Sequence, residues 1–216
     1  MSDSQFAWTW WVQFASATIT FLAVLVALFG DPLRRWLFPP RLALSLKPDI
    51  TRTPVKIGAP DGSVRDTAGR WYHVTVTNSR RWSPANGTEV YLTQVQNQDA
   101  AGRFVNSWVG NIPLRWRDGA ALGKSALILG PSAEADLCYA IRAVEPERTK
   151  WVELCPLMTP SNLPIRYSES FIIIVTLQAR SVESDSNVLQ VQIAWDGKWS
   201  EDDGEMAKHL VVGPVR

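Results

Sequence analysis

Arginine and tryptophan are the side chains whose types and spacing could do chemistry in this chain. Trp82 follows Arg80 and Arg81, and Trp116 sits between Arg115 and Arg117. An indole face with guanidinium groups beside it can stack a planar base or grip a protein surface, because aromatic rings and arginines dominate such contacts. These six residues form the candidate ligand or partner site. The chain holds 11 tryptophans in all. Trp8, Trp10, Trp11 and Trp36 flank an apolar run, and Trp71 and Trp195 fall at strand positions expected in the core. Trp82, Trp108, Trp116, Trp151 and Trp199 fall in or beside turns. The plainer reading of that last group is that they cap the ends of a sandwich or rest on lipid.

The remaining inventory for catalysis is thin. His73 is expected on the outward face of its strand and His209 in a charged tail. Cys138 and Cys155 make no close pair with zinc-site spacing, so neither a metal nor another cofactor is expected. The segment 118–125 ends in Lys124-Ser125 like a phosphate loop. Only three residues separate Gly119 from Gly123, however, and no strand-then-helix pattern surrounds them. The acidic run Glu201, Asp202, Asp203 and Glu205 reads as a solvated tail, with a divalent-cation site as the alternative. This inventory points away from an enzyme.

What positions these residues begins with a membrane anchor. Ser4 to Gly30 carries no charge, and Asp31-Pro32 with Arg34-Arg35 closes the stretch. A hydrocarbon core of about 30 Å needs roughly 20 apolar residues, which Trp11 to Phe29 supplies. The N-terminus lacks the basic n-region of a secretory signal, which favours an uncleaved anchor. Arg34, Arg35, Arg41 and Lys47 all follow the run, so the positive-inside rule places the large domain in the cytoplasm, at the cell inner membrane. Gln13, Ser16, Ala17, Thr20, Ala23 and Ala27 recur at spacings of three and four. That stripe predicts helix self-association and a homo-oligomer; the alternative is that Ser and Thr bond their own helix carbonyls.

Beyond Pro40 the pattern has period two. Arg41–Leu46, Tyr72–Thr77, Gly87–Gln96, Leu137–Ile141, Phe171–Ala179 and Val188–Trp195 read as strands, the last two joined as a hairpin through a polar turn at 184–187. The expected fold is mainly β: one N-terminal transmembrane helix, then an antiparallel β-sandwich. The expected divisions are 1–10 as a short segment, 11–38 as the span, 41–199 as the sandwich and 200–216 as an acidic tail. Connections over 50–69, 97–131 and 144–168 are long and carry short strands or ordered loops. Asp31–Lys124 has 14 basic and 7 acidic residues, and Ser125–Arg216 has 8 and 13. This difference marks a basic face only if the halves stay apart in space. A formal charge of +1 gives no footprint for a nucleic-acid polymer.

Trp71–Asn78 followed by Ala85–Leu92 resembles the B and C strands of an immunoglobulin-like domain, closest to the CARDB-like modules of bacteria. Leu129-Gly130-Pro131-Ser132-Ala133 fits the turn before strand E. Trp195-Asp196-Gly197-Lys198-Trp199 resembles uncharacterised bacterial proteins with a single N-terminal span. The resemblance covers residues 70–195, lacks the paired cysteines of antibody domains, and implies a binding or assembly module without assigning residues. The expected function is thus a non-enzymatic, membrane-anchored module that presents an immunoglobulin-like domain to a protein partner. The alternative is a ligand-gated, oligomeric membrane effector, as in bacterial antiviral defence, that senses a small anion such as a nucleotide.

Overall fold

The computed structural model describes residues 3–47, 49–58, 64–80, 83–117, 126–128, 132–142 and 149–215. The chain divides into two compact units, Met1–Pro39 and Pro40–Arg216. The first is a single helix, α1 (Asp3–Leu37), of 35 residues, about 52 Å long at 1.5 Å per residue. Its Trp10–Ala27 window has a mean hydropathy of 1.7 and is long and apolar enough to cross a membrane. The helix starts well before residue 11, since the uncharged residues after Asp3 contain no breaker and an acidic first turn favours initiation. Gln13, Ser16, Ala17 and Thr20 line a shallow groove bordered by Val12, Phe21 and Val24. Ala23 and Ala27 are also exposed on the helix. The Thr20 hydroxyl donates to the Ser16 carbonyl at 2.9 Å, and Thr18 does the same to Phe14 at 2.8 Å. Both protons are therefore committed within the helix.

The second unit holds β1 (Leu42–Leu46), β2 (Thr51–Gly58), β3 (Val64–Asn78), β4 (Ala85–Gln98), β5 (Phe104–Pro113) and β6 (Ala126–Ile128). After these come β7 (Ser132–Arg142), β8 (Lys150–Leu154), β9 (Arg166–Tyr167), β10 (Phe171–Arg180), β11 (Asp185–Trp195), α2 (Asp203–His209) and β12 (Leu210–Pro214). Two antiparallel sheets result. Sheet I runs β1-β3-β7-β8-β9, with β2 also on β3; sheet II runs β12-β11-β10-β4-β5, with β6 on β4. β1 and β2 lie end to end along one side of β3, and the Lys47 N–H to His73 carbonyl bond (3.0 Å) spans the join.

Alternation builds the shared core. Tyr72, Val74 and Val76 of β3 face Val90, Leu92 and Val95 of β4, Val175 and Leu177 of β10, and Val191 and Ile193 of β11 in one buried cluster. Each such aliphatic side chain contributes about 1.5–3 kcal/mol when fully buried. The β10–β11 hairpin forms as the pattern predicts, but its turn falls earlier: Ser181 N–H donates to the Ser184 carbonyl at 2.9 Å and Arg180 already pairs with Asp185. The long connections carry β2, β5, β6, β8 and β9. Both sheets draw on both halves of the sequence: β1, β2 and β3 lie together and meet the acidic half at the β3–β7 seam, and β4 and β5 meet it at the β4–β10 seam.

The acidic segment is not a solvated tail. Asp202 caps α2, its carboxylate accepting from the Glu205 N–H at 2.9 Å. Acidic residues occupy the first turn of α2 and Lys208 and His209 the last, as the helix dipole favours. Met206 is fully buried, and β12 then pairs with β11. The anchor point is Arg70, only 4% exposed. Its Nε donates to Asp203 at 3.0 Å, Nη1 to the Ser200 carbonyl at 2.6 Å and Nη2 to the Glu201 carbonyl at 2.8 Å. The Trp199 ring lies 4.9 Å from its guanidinium. A buried cation requires such full pairing, and the acidic run supplies it.

Candidate interaction surface

The structure separates the predicted Arg/Trp site. Arg81 and Trp82 lie outside the described residues, as do Gly119–Ser125 of the phosphate-loop-like segment and Leu129–Pro131 of the turn before β7. Arg80 lies just past β3, where its N–H donates to the Asn78 side chain at 3.0 Å. Residues 114–117 leave sheet II after β5 and cross to sheet I. Leu114 N–H donates to Val90 (2.7 Å), Arg115 N–H to Cys155 (3.1 Å), Asp136 N–H to Arg115 (2.8 Å) and Arg117 N–H to Glu134 (3.0 Å). This crossing turns Trp116 into the core, 8% exposed and bridged to Ala135. Trp116 is therefore a packing residue and not a stacking platform. Arg117 is paired with Glu134, which Lys47 also contacts at 2.6 Å. Burial alone raises the Glu134 carboxyl, but the bonds from Lys47 and Arg117 outweigh it and hold it below the usual carboxylate range. Glu134 faces Thr75 of β3, and Arg80 lies beyond Asn78, a further three strand residues or roughly 10 Å along. Arg80 and the Arg115–Arg117 segment do not form one site.

Strand phase corrects two more expectations. With Tyr72, Val74 and Val76 inward, Trp71 must face outward, and it is half-buried there, outside the core. Trp195 is in the core, as expected, and Trp108 of β5 joins it instead of lying in a turn. His73 does lie on the outward face, yet is only 2% exposed. A β-bulge at Tyr72/His73 places it opposite Asp136, and its Nδ1 is 3.0 Å from the Asp136 carboxylate. Asp136 in turn donates its N–H to the crossing segment. His209 is likewise no tail residue: its Nδ1 lies 2.8 Å from Asp196. Cys138 and Cys155 are both free thiols and buried, and burial pushes each well above its usual pKa.

The aromatic and charged side chains that do converge form one row across the outer face of sheet I. Thr51, Trp71, Tyr139, Glu153 and Arg166 are successive cross-strand partners on β2, β3, β7, β8 and β9. Such directly opposed residues are the contacts that stabilise a sheet. The Trp71 and Tyr139 rings lie 4.7 Å apart. Glu153, its side chain 15% exposed, accepts from Trp151 Nε1 at 3.1 Å and from Arg166 Nε at 2.9 Å. The Arg166 guanidinium sits 4.7 Å over the Trp151 ring. Burial, then the Glu153 charge, raises the Tyr139 phenol above its usual pKa, so it stays protonated. Gly69 makes room for the row. A Cβ there would lie 3.1 Å from Trp71 Nε1, and that indole N–H donates to the Thr53 carbonyl at 3.3 Å.

Sequence reasoning missed Tyr139, Glu153 and Arg166. The alternation of Trp151 and Glu153 with Val152 and Leu154 was a usable signal for β8. The register that aligns five strands was not in any local pattern. A groove of about 470 Å³ opens at one end of sheet II, lined by Gln98, Phe171, Ile172, Asp196, Lys208 and His209 among others. Among the described residues, no group of three or more His, Cys, Asp or Glu is placed to hold a metal ion. Set against models of known protein families and against curated proteins, the chain matches none.

Proposed function

We propose that this chain is a single-span membrane protein, non-enzymatic, that presents an immunoglobulin-like domain to a protein partner on the cytoplasmic side. The observation that carries the partner-binding reading is the row Trp71–Tyr139–Glu153–Arg166 with Trp151 beside it. Trp, Tyr and Arg are the residue types that anchor protein interfaces, and here they are already held in place by cross-strand bonds, which lowers the ordering cost of binding. The Trp10–Ala27 window supports the tether, and Arg34 and Arg35 after it support the orientation. Strand order β1-β3-β7 against β5-β4-β10-β11 supports the immunoglobulin-like reading, since it follows A-B-E against C′-C-F-G. Self-association through Gln13, Ser16, Ala17, Thr20, Ala23 and Ala27 belongs to the same proposal. The small, exposed side chains of Ala17 and Ala23, which would let two helices approach closely, support it more than the Thr20 hydroxyl does.

The test is a photo-crosslinking residue at position 168, exposed two residues past Arg166, in native membranes. A discrete adduct that Arg166→Ala and Trp71→Ala both abolish is expected; adducts indifferent to both substitutions would overturn the reading. Orientation needs an exposed reporter, because the native cysteines are buried. Thr53→Cys should react with an impermeant maleimide only after lysis.

The ligand-gated effector is a second reading, favoured by the groove of about 470 Å³, a size suited to a small ligand. Lys208 at its edge is paired with Glu205, and His209 is hydrogen-bonded to Asp196. A nucleotide titration that produced no heat or chemical-shift change at the groove would remove it. Toxicity on expression, rescued by Gln13→Leu with Thr20→Leu, would favour it.

A further inference from the structure

We infer that the outer face of sheet II is a self-docking surface whose occupant is the same face of a second copy of this chain. The proposal is independent of the partner assigned to sheet I.

Four cross-strand rows make up this face. In the first, Phe104 pairs with Gln98 and Ile172 with Ala194 and Val211, the two groups lying one step past the Ile173–Asn97 pair; Asn106, Gln96, Ile174, Gln192 and Gly213 form the second. Val109, Gln94, Thr176 and Gln190 form the third; Pro113, Tyr91, Gln178 and Val188 the fourth. None of these 18 positions carries a charge. A solvated sheet face ordinarily carries charges, and charges are the usual device by which sheets avoid associating. Their absence over five strands is what depletion of charge at an interface centre looks like.

Composition names the occupant. Gln, Asn and Thr each carry a donor and an acceptor, so the face is complementary to itself, and a copy meets no like charge at any rotation. Ionisable residues of both signs lie at the two ends instead. Glu89 and Arg180 pair beyond the fourth row, and Asp99 with Arg103, and Asp196 with His209, lie beyond the first. A neutral centre with a mixed rim suits a twofold contact.

The centre is also ordered in advance. Gln94 and Gln96 both donate to the Asn106 side chain, at 2.6 and 2.9 Å. Ile174 and Thr176 are buried beneath their neighbours, whereas Val109 is 67% exposed at the margin, with Val188 and Val211 also open.

Size agrees. Eighteen positions, each about 4.8 Å by 6.8 Å, project roughly 590 Å², before side-chain relief is added. A standard stable interface buries about 800 Å² per partner. Two such faces pack about 10 Å apart.

The test uses the full chain in lipid nanodiscs or native membranes. Single cysteines at Gln94, Gln96, Gln190 and Gln192 are oxidised in turn, with Thr53→Cys on sheet I as the control; the native thiols are buried and give little background. At least one face position should yield a covalent dimer about tenfold more readily than Thr53→Cys. Gln96→Lys with Gln192→Lys should cut that yield about tenfold, since like charges would oppose across the contact. Co-expressing it with Gln96→Glu, Gln192→Glu should restore a mixed dimer, which a merely misfolded variant cannot do. No face position cross-linking above the control would overturn the proposal, including where dimers form through α1 alone. A lipid-quenched fluorophore at position 190 would do the same by placing the face on the bilayer.

Discussion

The two outer faces of the sandwich have opposite chemistry. On sheet I, Glu153 is paired with Arg166 and Glu134 with Lys47 and Arg117, and Asp136 is hydrogen-bonded to His73. On sheet II the rows between the ends hold amides, hydroxyls, aliphatic groups and the two rings of Tyr91 and Phe104, with no charged side chain. Charges that are paired within a face cost stability when one partner is removed, because the other is left exposed to a poorly solvating environment. Amides on an open face cost little when replaced, because water takes their bonds. So sheet I should answer mutation in stability and sheet II in association.

The largest loss is expected on neither outer face but at Arg70→Met, on the inward side of β3, and it sets the upper limit for reading that contrast. It removes three hydrogen bonds and the Trp199 contact, and should cost about 3 kcal/mol, read from the urea midpoint of the full chain in detergent. Glu153→Gln is next, leaving Arg166 and the Trp151 indole without their carboxylate. It should cost about 1–2 kcal/mol by the same measurement. A loss as large in sheet II would break the contrast.

Acid sharpens it further. Asp203 is held below the usual carboxylate range, chiefly by Arg52 and then Arg70, and Glu134 below it by Lys47 and Arg117 despite burial. A depressed folded pKa gives stability that is present above the unfolded pKa of about 4 and lost as pH falls through the folded value. Denaturation midpoints should drop below about pH 4, and Glu134→Gln with Asp203→Asn should flatten that slope. The smallest effect belongs to sheet II: Gln192→Glu should shift folding stability by no more than about 0.5 kcal/mol while weakening dimer cross-linking.

Period-two patterning made the main strands legible, from Tyr72–Thr77 to Val188–Trp195, because one face of each is buried and its residues alternate. The long apolar helix was legible from its unbroken run of uncharged residues. What escaped was set by distant partners. Trp116 looked like a turn residue because its burial depends on a crossing between sheets, and no local pattern marks that crossing. His73 looked solvated because a bulge is invisible in alternation. The acidic run looked like a tail because its counter-ion is Arg70, 133 positions earlier. The Trp71–Tyr139–Arg166 row needed the register of five strands, which follows from the folded pairing and not from any one segment.

That separation of 133 positions between Arg70 and Asp203 also sets an order in time. At about 5–20 residues per second of synthesis, the arginine leaves the ribosome roughly 7–27 s before the carboxylate that neutralises it. Throughout that interval α1 is complete, and the sandwich lacks Met206 and the last strand of sheet II. A nascent chain thus holds its helix long before it can seal its core. A message cut short near codon 200 would release a protein with an open end and a stranded cation, the kind of product that chaperones and proteases remove.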